Sequence, residues 1–341
     1  MTAASVCPAV PDSQWDQFAT SRGAALHAQT AWARLVSEVY GIRPHYLASA
    51  RGQALDGILA LFEIRHPLFG HYLTTAAFGT DGGLHADTPE ARDTLLARAR
   101  ALAAELHVGY LVIRTRETPL PGAEVDDRYR TAILDHREGT DAVWRTLSPK
   151  TRNQIRRGQK EGFTIAHGAD QAEAFSEVFQ QHMRDLGSPA HSLRYYRALA
   201  RHLGPSAHYL VVRDQRTVVA GALLLASGQT AMNVHTVALR AYNRRCPNYL
   251  LYWDMIERSA ALGCVRLDMG RSEVGSSQLA FKANWNTTEV PLFYNYFRHR
   301  AAAIPKVHPG NPRYRLAIGL WQHLPLALTT RLGPRLISGI A

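Results

Sequence analysis

The chain has 341 residues, 46% of them hydrophobic and 20% charged. That length points to two domains, and the composition excludes disordered, collagen-like and coiled-coil architectures. A net charge of +11 with a pI near 9.8 suits an anionic partner such as nucleic acid, a phosphorylated substrate or a membrane surface, although solubility alone can also account for it.

In chain order, the opening MTAASVCPAVPDSQ has no basic start followed by an apolar run, and no stretch of about 18 apolar residues occurs. The expectation is a cytoplasmic protein, with peripheral contact at the inner face of the membrane left open. ARGQALDGILALF, from Ala50, and VRDQRTVVAGALLLASG, from Val212, both read as a hairpin entering a buried strand. LLARARALAAELHVGYLVIRT, from Leu95, and LLYWDMIERSAALGCVRLDMG, from Leu250, both read as a helix, a terminating glycine and a strand. Pairing Gly57 with Gly221 and Gly109 with Gly263 gives a diverged internal repeat. Two similar α/β domains are predicted, at 1–138 and 139–300, with 301–341 as a basic amphipathic tail.

Between the halves, Asp135–Gly139 reads as a linker, and Ser148 followed by Pro149 as a helix start. The helix that follows is basic and free of acids: Arg152, Arg156 and Lys160 fall in register at steps of four, with Arg145, Lys150 and Arg157 nearby. Like charges on one face destabilise a helix, so a polyanion bound there would relieve a cost, and a solvated face is the plainer alternative. From Val290 onward there is no Asp or Glu, while Arg298, Arg300, Lys306, Arg313, Arg315, Arg331 and Arg335 accompany Trp321 and several leucines. Such a tail suits an anionic membrane surface or docking on the body of the protein.

The chemistry begins by elimination. There is no P-loop, GxGxxG, GxSxG or HExxH. Cys7, Cys246 and Cys264 are too few and too scattered for a disulfide framework or zinc site, and they fit a reducing compartment. None of the sixteen histidines has convincing ligand spacing, so no metal is expected. What remains is VRLDMGRSEVGSSQLAFKANWNTTEVPLFYNYF. Val265–Met269 reads as a strand ending at Gly270, Arg271 and Ser272, and Ser276 or Ser277 caps a helix that turns Lys282 back toward the strand end. A lysine ammonium there can stabilise a developing oxyanion or hold a phosphate, as acyl transfer to an amine requires. Asp268 can orient the amine or accept its proton.

DMGRS, followed by FKANW and VPLFYNY, resembles the Fem family of aminoacyltransferases and its Gcn5-related acetyltransferase-like relatives. LHAQTAWARLVSEVYGIRPHYL, GILALFEIRHPLFGHYLTTAAFGTDGGL and SPKTRNQIRRGQKEGF are similar to the same family, and HPGNPRYRLAIGLWQHLPLALTTRLGPRL to its branch associated with exosortase and exopolysaccharide systems. The resemblance implies two tandem acetyltransferase-like domains, each a mixed sheet flanked by helices. It also implies transfer of an aminoacyl or acyl group, from aminoacyl-tRNA or acyl-CoA as co-substrate, to an amine of a peptidoglycan, exopolysaccharide or other envelope precursor.

The family's lysine falls on Lys282. Arg271 and Ser272 are expected to line the acceptor, with Phe281 and Tyr294 beside them, and His235 is a candidate base. LRAYNRRCPNYLLYW lacks the glycines of a CoA pyrophosphate turn, so Arg240, Arg244 and Arg245, with Asn248, are expected to hold donor phosphate through side chains. The alternative is a non-catalytic scaffold of the same fold that binds anionic membrane or nucleic acid.

Overall fold

The computed structural model describes residues 5–7, 10–116, 118–304 and 315–341. Its chain divides into two units: residues 1–129, 291–307 and 338–341 form the first, and residues 130–290 and 308–337 the second. The elements before the boundary are β1 (Ser5–Cys7), α1 (Asp12–Ser21), α2 (Thr30–Tyr40), β2 (Arg43–Arg51), β3 (Ala54–His66), β4 (Gly70–Thr74), β5 (Leu84–Ala86), α3 (Pro89–Glu105) and β6 (Tyr110–Arg116). Strand β7 (Glu124–Asp135) spans the boundary. Beyond it come α4 (Thr140–Thr146), α5 (Pro149–Lys160), β8 (Thr164–His167), α6 (Ala172–Leu186), α7 (Leu193–Leu203), β9 (Ala207–Asp214), β10 (Thr217–Ser227), β11 (Thr230–Ala238), α8 (Pro247–Ala261), β12 (Arg266–Glu273), α9 (Ser277–Ala283), β13 (Thr288–Arg298), α10 (Arg315–His323) and α11 (Leu326–Ile337).

The first unit's sheet runs β1–β2–β3–β4–β6–β13, with β5 paired to β3. Its β2–β3–β4 meander is antiparallel; then α3 crosses over and returns the chain as β6, parallel to β4. Leu59, Leu61 and Leu73 pack against Leu95 and Ala99 of α3 and against Leu111 and Ile113 of β6. The second unit repeats the plan. Antiparallel β9–β10–β11 is followed by α8 and then by β12, parallel to β11, while Arg130–Asp135 of β7 borders β12. Its core gathers Leu210, Ala222 and Leu224 of the sheet against Leu251, Met255 and Ile256 of α8.

The repeat is therefore real, but the glycine pairs chosen from sequence are not its counterparts. A Cβ on Gly57 would meet Ser49 and Leu95 at 2.6 and 2.9 Å, on the α3 side, whereas one on Gly221 would meet Phe175 of α6 at 2.9 Å. The two glycines make room for different helices. At the helix ends, Gly263 has φ +77° and follows Leu262; the residue in that position after α3 is His107, at φ +56°. Both ends use the same bonds, His107 N to Ala104 O and Val108 N to Ala103 O in one, Gly263 N to Ala260 O and Cys264 N to Ser259 O in the other. Gly109 instead lies close to His71 O, a Cβ there falling at 3.3 Å.

Two further expectations change. The unit boundary falls at residues 129/130, inside β7, and the stretch expected as a linker, 135–139, is the end of β7 and the turn before α4, both within the second unit. Nor do residues 301–341 stand apart as a tail: α10 and α11 belong to the second unit and pack on α6, and residues 338–341 belong to the first. Lys306 and Arg313 lie outside the described residues.

Candidate functional site

Helix starts are set as the sequence predicts. The Ser148 side chain accepts from Thr151 N ahead of Pro149, and the Ser276 side chain accepts from Leu279 N, opening the seven-residue α9. That short helix returns Lys282 to the end of β12. Phe281 and Trp285 anchor it by packing on Tyr249 and Tyr252 of α8, with ring centroids 5.0 to 6.1 Å apart.

Lys282 is 6% exposed, and its Nζ donates to Gly270 O at 2.6 Å and to Arg271 O at 3.3 Å. Burial lowers its pKa to about 8; nearby Asp268 pulls upward, and Arg271 adds to the lowering. Gly270 has φ +79°, and a Cβ on it would stand 2.7 Å from Asn233 O of the neighbouring strand. Both the left-handed backbone and the close approach require glycine. Asp268 is fully buried; its Oδ1 accepts from Gly270 N at 2.8 Å and from the Thr131 hydroxyl of β7. The carboxylate thus holds the strand end whose carbonyls hold the lysine. Asp268 was expected to orient the amine or accept its proton; in this geometry its Oδ1 is engaged within the protein. Ser272 is buried two residues further along β12, and its Oγ has no hydrogen-bond partner among the described residues.

Strands β11 and β12 are paired only over Thr230–Met232 and Arg266–Asp268. Directly beyond, β11 carries a register shift against β10: Leu224 faces Asn233, and Leu223 faces His235. The extra residue turns Asn233 and His235 to opposite faces of the sheet. Asn233 Oδ1 accepts from Thr236 Oγ1 at 2.7 Å on the side of Tyr252 in α8, whereas the His235 ring packs 4.7 Å from Phe179 of α6 and 5.7 Å from His191. His235, expected as a base, therefore does not join the Lys282 side of the sheet.

The basic helix does come to the start of α8. A Cβ on Gly158 would lie 2.8 Å from Cys246 O, and the Cys246 thiol donates to Gln154 Oε1 of the same helix. Burial raises the Cys246 thiol, which argues against a nucleophilic thiolate. Lys150, Arg156, Arg157 and Lys160 are exposed on α5, as are Arg240 and Arg244 on the 3-10 turn before α8. Arg156 also lies over the Trp144 ring at 5.4 Å. Arg152 is half-buried, its guanidinium 3.4 Å from the carbonyls of Trp144 and Arg145.

Arg245 departs from the expected phosphate role. It bonds Glu161 and Asp214 and lies over the Phe163 ring at 4.5 Å, so two carboxylates already hold it. Asn248 is half-buried in the first turn of α8. Tyr294, expected near the acceptor, is buried in the first unit beneath the Arg114 guanidinium, 4.8 Å from its ring. Sequence reasoning missed Thr131, whose hydroxyl holds Asp268, and Asn233, whose backbone carbonyl closes on Gly270; only the fold brings them there.

Residues 148–282 match the family described as the acetyltransferase (GNAT) domain, a match that ends on Lys282. The fold is similar to the crystal structure of FemX, with a TM-score of 0.67 at 14% identity over 92% of this chain and 100% of that one. A tandem GNAT protein from the clavulanic acid biosynthesis pathway gives 0.57 at 14% identity, covering 86% and 98%. L-PGS from Bacillus licheniformis gives 0.57 at 10%, covering 93% and 98%. No curated protein matches the chain in sequence.

Proposed function

Because the chain has the fold of the Fem-like proteins of the Gcn5-related acetyltransferase superfamily, we propose that it is an N-acyltransferase. It moves an aminoacyl or acyl group from an activated ester or thioester to an amine of a cell-envelope precursor. The observation that carries this reading is the state of Lys282. An ammonium has three N–H donors, two of which meet the carbonyls of Gly270 and Arg271. Among the described residues nothing takes the third, which is left for a ligand beside the point where β11 and β12 cease to pair, at the strand ends where ligands of parallel sheets bind.

The amine lone pair attacks the donor carbonyl carbon, and the carbonyl oxygen takes up the negative charge. Lys282 donates to that oxyanion in a site from which water is largely excluded. Collapse breaks the C–O bond of an ester or the C–S bond of a thioester, and the amine's proton leaves with the displaced hydroxyl or thiol. Asp268 and Thr131 act by fixing β12 at Gly270, and Ser272 Oγ is available to a polar atom of the acceptor. Replacing Lys282 by Ala is expected to lower turnover on the order of a hundredfold, the effect of losing one oxyanion donor. Wild-type turnover in that variant removes Lys282 from the reaction.

For the donor we favour aminoacyl-tRNA over acyl-CoA. Support comes from the exposed cations of α5 joined to Arg240 and Arg244 at the start of α8, a surface broader than one pyrophosphate needs. Changing Arg156, Arg157 and Lys160 to Gln is expected to lower the salt dependence of tRNA binding by about two units of log–log slope. Micromolar acetyl-CoA binding that depends on Arg240 and Arg244, measured by calorimetry, would move the chain to the CoA-dependent branch. Strong RNA binding without transfer from either donor would favour the non-catalytic scaffold.

A further inference from the structure

Helices α10 and α11 carry the strongest unassigned surface. Their inner sides are fixed to α6 and the loop after it. Ile318 packs on Gly187, Gln322 Nε2 donates to Asp185 O at 3.1 Å, and Thr330 Oγ1 donates to Gln180 Oε1 at 2.8 Å. Gly333 lies so close to Ala190 that a Cβ would stand 3.1 Å from its backbone N and O. The outer sides are apolar as well. Leu316 is 83% exposed, Leu320 71%, Leu328 47% and Leu332 39%. Each pair is spaced i, i+4 and so forms a stripe along its helix.

Four exposed leucines on two short helices are an interaction surface, and the charge around them selects the partner. Arg315, Arg331 and Arg335 are exposed on the same helices, and no acidic residue follows Glu289. Ala190, which receives Gly333, leads into α7, whose exposed positions include Arg194 and Arg201, while Arg197 pairs with Glu173. A protein partner would have to match leucines set beside exposed arginines on two helices that carry no acid. A bilayer containing anionic lipid offers both requirements at once: an acyl boundary for the leucines and phosphate for the arginines. Among the described residues no helix is long and apolar enough to cross a membrane, so the hairpin would lie on the surface.

We propose that α10 and α11 form a membrane-resting face, docked on the protein through Ile318, Thr330 and Gly333 and inserting Leu316, Leu320, Leu328 and Leu332 between anionic lipids. Each leucine that enters the acyl boundary contributes on the order of tenfold in partitioning. Vesicle binding needs no substrate, so this inference stands or falls separately from the transfer chemistry.

The test is flotation of the full chain with vesicles of equal parts phosphatidylcholine and phosphatidylglycerol, beside vesicles of phosphatidylcholine alone. Wild type should float with the anionic vesicles and lose binding as salt rises. The variant Leu316→Ser/Leu320→Ser/Leu328→Ser/Leu332→Ser should bind at least tenfold more weakly with an unchanged thermal midpoint, and Arg315→Gln/Arg331→Gln should flatten the salt dependence. Failure of wild type to float, or equal binding by the leucine variant, overturns the proposal. So does light scattering that finds a wild-type dimer reduced to a monomer by the leucine changes, which would make this face a self-interface. If the leucine variant unfolds, Leu316→Ser/Leu320→Ser alone, at the two most exposed positions, decides by the same criterion.

Discussion

The two units build the same crossover, antiparallel meander, helix and parallel strand, and finish it with different cations. In the first unit Arg116, at the end of β6, is bound through both nitrogens by the carboxylate of Asp81, and Arg114 bonds the carbonyls of Ala76, Gly79 and Ala341. In the second, Lys282 approaches the end of β12 and meets carbonyl oxygens, while its nearest carboxylate, Asp268, is engaged by Thr131 and Gly270 N. Arg116 is neutralised by a carboxylate inside the fold, and Arg114 spends its donors on three carbonyls of its own unit. Lys282, held on two carbonyl dipoles, keeps both its charge and a donor for something that arrives from outside.

Paired substitutions sharpen this contrast, and the largest effect is on rate. Lys282→Ala should cost about two orders of magnitude in turnover. Arg116→Ala should leave turnover within a few-fold while lowering stability by about 2 kcal/mol in urea denaturation, because it strands the largely buried Asp81. Comparable rate losses in the two variants would erase the distinction.

Next comes Gly270→Ala, which puts a Cβ into Asn233 O on a left-handed backbone. The expected cost is about 2 to 3 kcal/mol of stability, with turnover at least tenfold lower in whatever remains folded.

Titration tests the charge on Lys282 directly. Its folded pKa, about 8, lies below the ordinary 10.5, so the ammonium is present below pH 8 and lost above it. Turnover at saturating acceptor should fall as pH rises through about 8, and Lys282→Arg should carry that descending limb beyond about pH 10. Over the same window, from about 8 to 10.5, the unfolded chain holds a proton the folded chain has released. Stability should therefore rise with pH there, and Lys282→Met should remove the rise. A flat profile for wild type would mean that Lys282 does not titrate near 8 in the folded protein.

The smallest effect compares the two helix ends. Gly263→Ala should cost about 1 kcal/mol, whereas His107→Gly, at the matching left-handed position, should gain up to about 0.5 kcal/mol. Equal responses would argue against treating those residues as counterparts.

Features that reside in a few consecutive residues were legible in the sequence. Ser148–Pro149 and Ser276 start helices where expected, the meander–helix–strand order repeats, and FKANW returns a lysine to the strand before it. What was hidden depends on register and distance. One extra residue in β11 sends His235 to the far face, which alternation cannot anticipate. Arg245 looks free among its neighbours and is claimed by Asp214 and Glu161, far from it in the chain. The glycine pairing failed because His107 occupies a conformation usually reserved for glycine. Trp321 and the tail leucines were recognised as amphipathic, but which side faces α6 depended on Gly187 and Ala190.

The return of β13 to the first unit also sets a timetable for synthesis. Strand β6 receives its neighbour over Leu292–Arg298 against Tyr110–Arg116, so on the ribosome the first unit carries an open sheet edge throughout translation of nearly all the second. Such edges invite pairing between chains. A fragment ending near residue 138 inherits that edge permanently and should aggregate where the full chain does not. Expression of the amino-terminal half by itself is therefore a poor source of either unit.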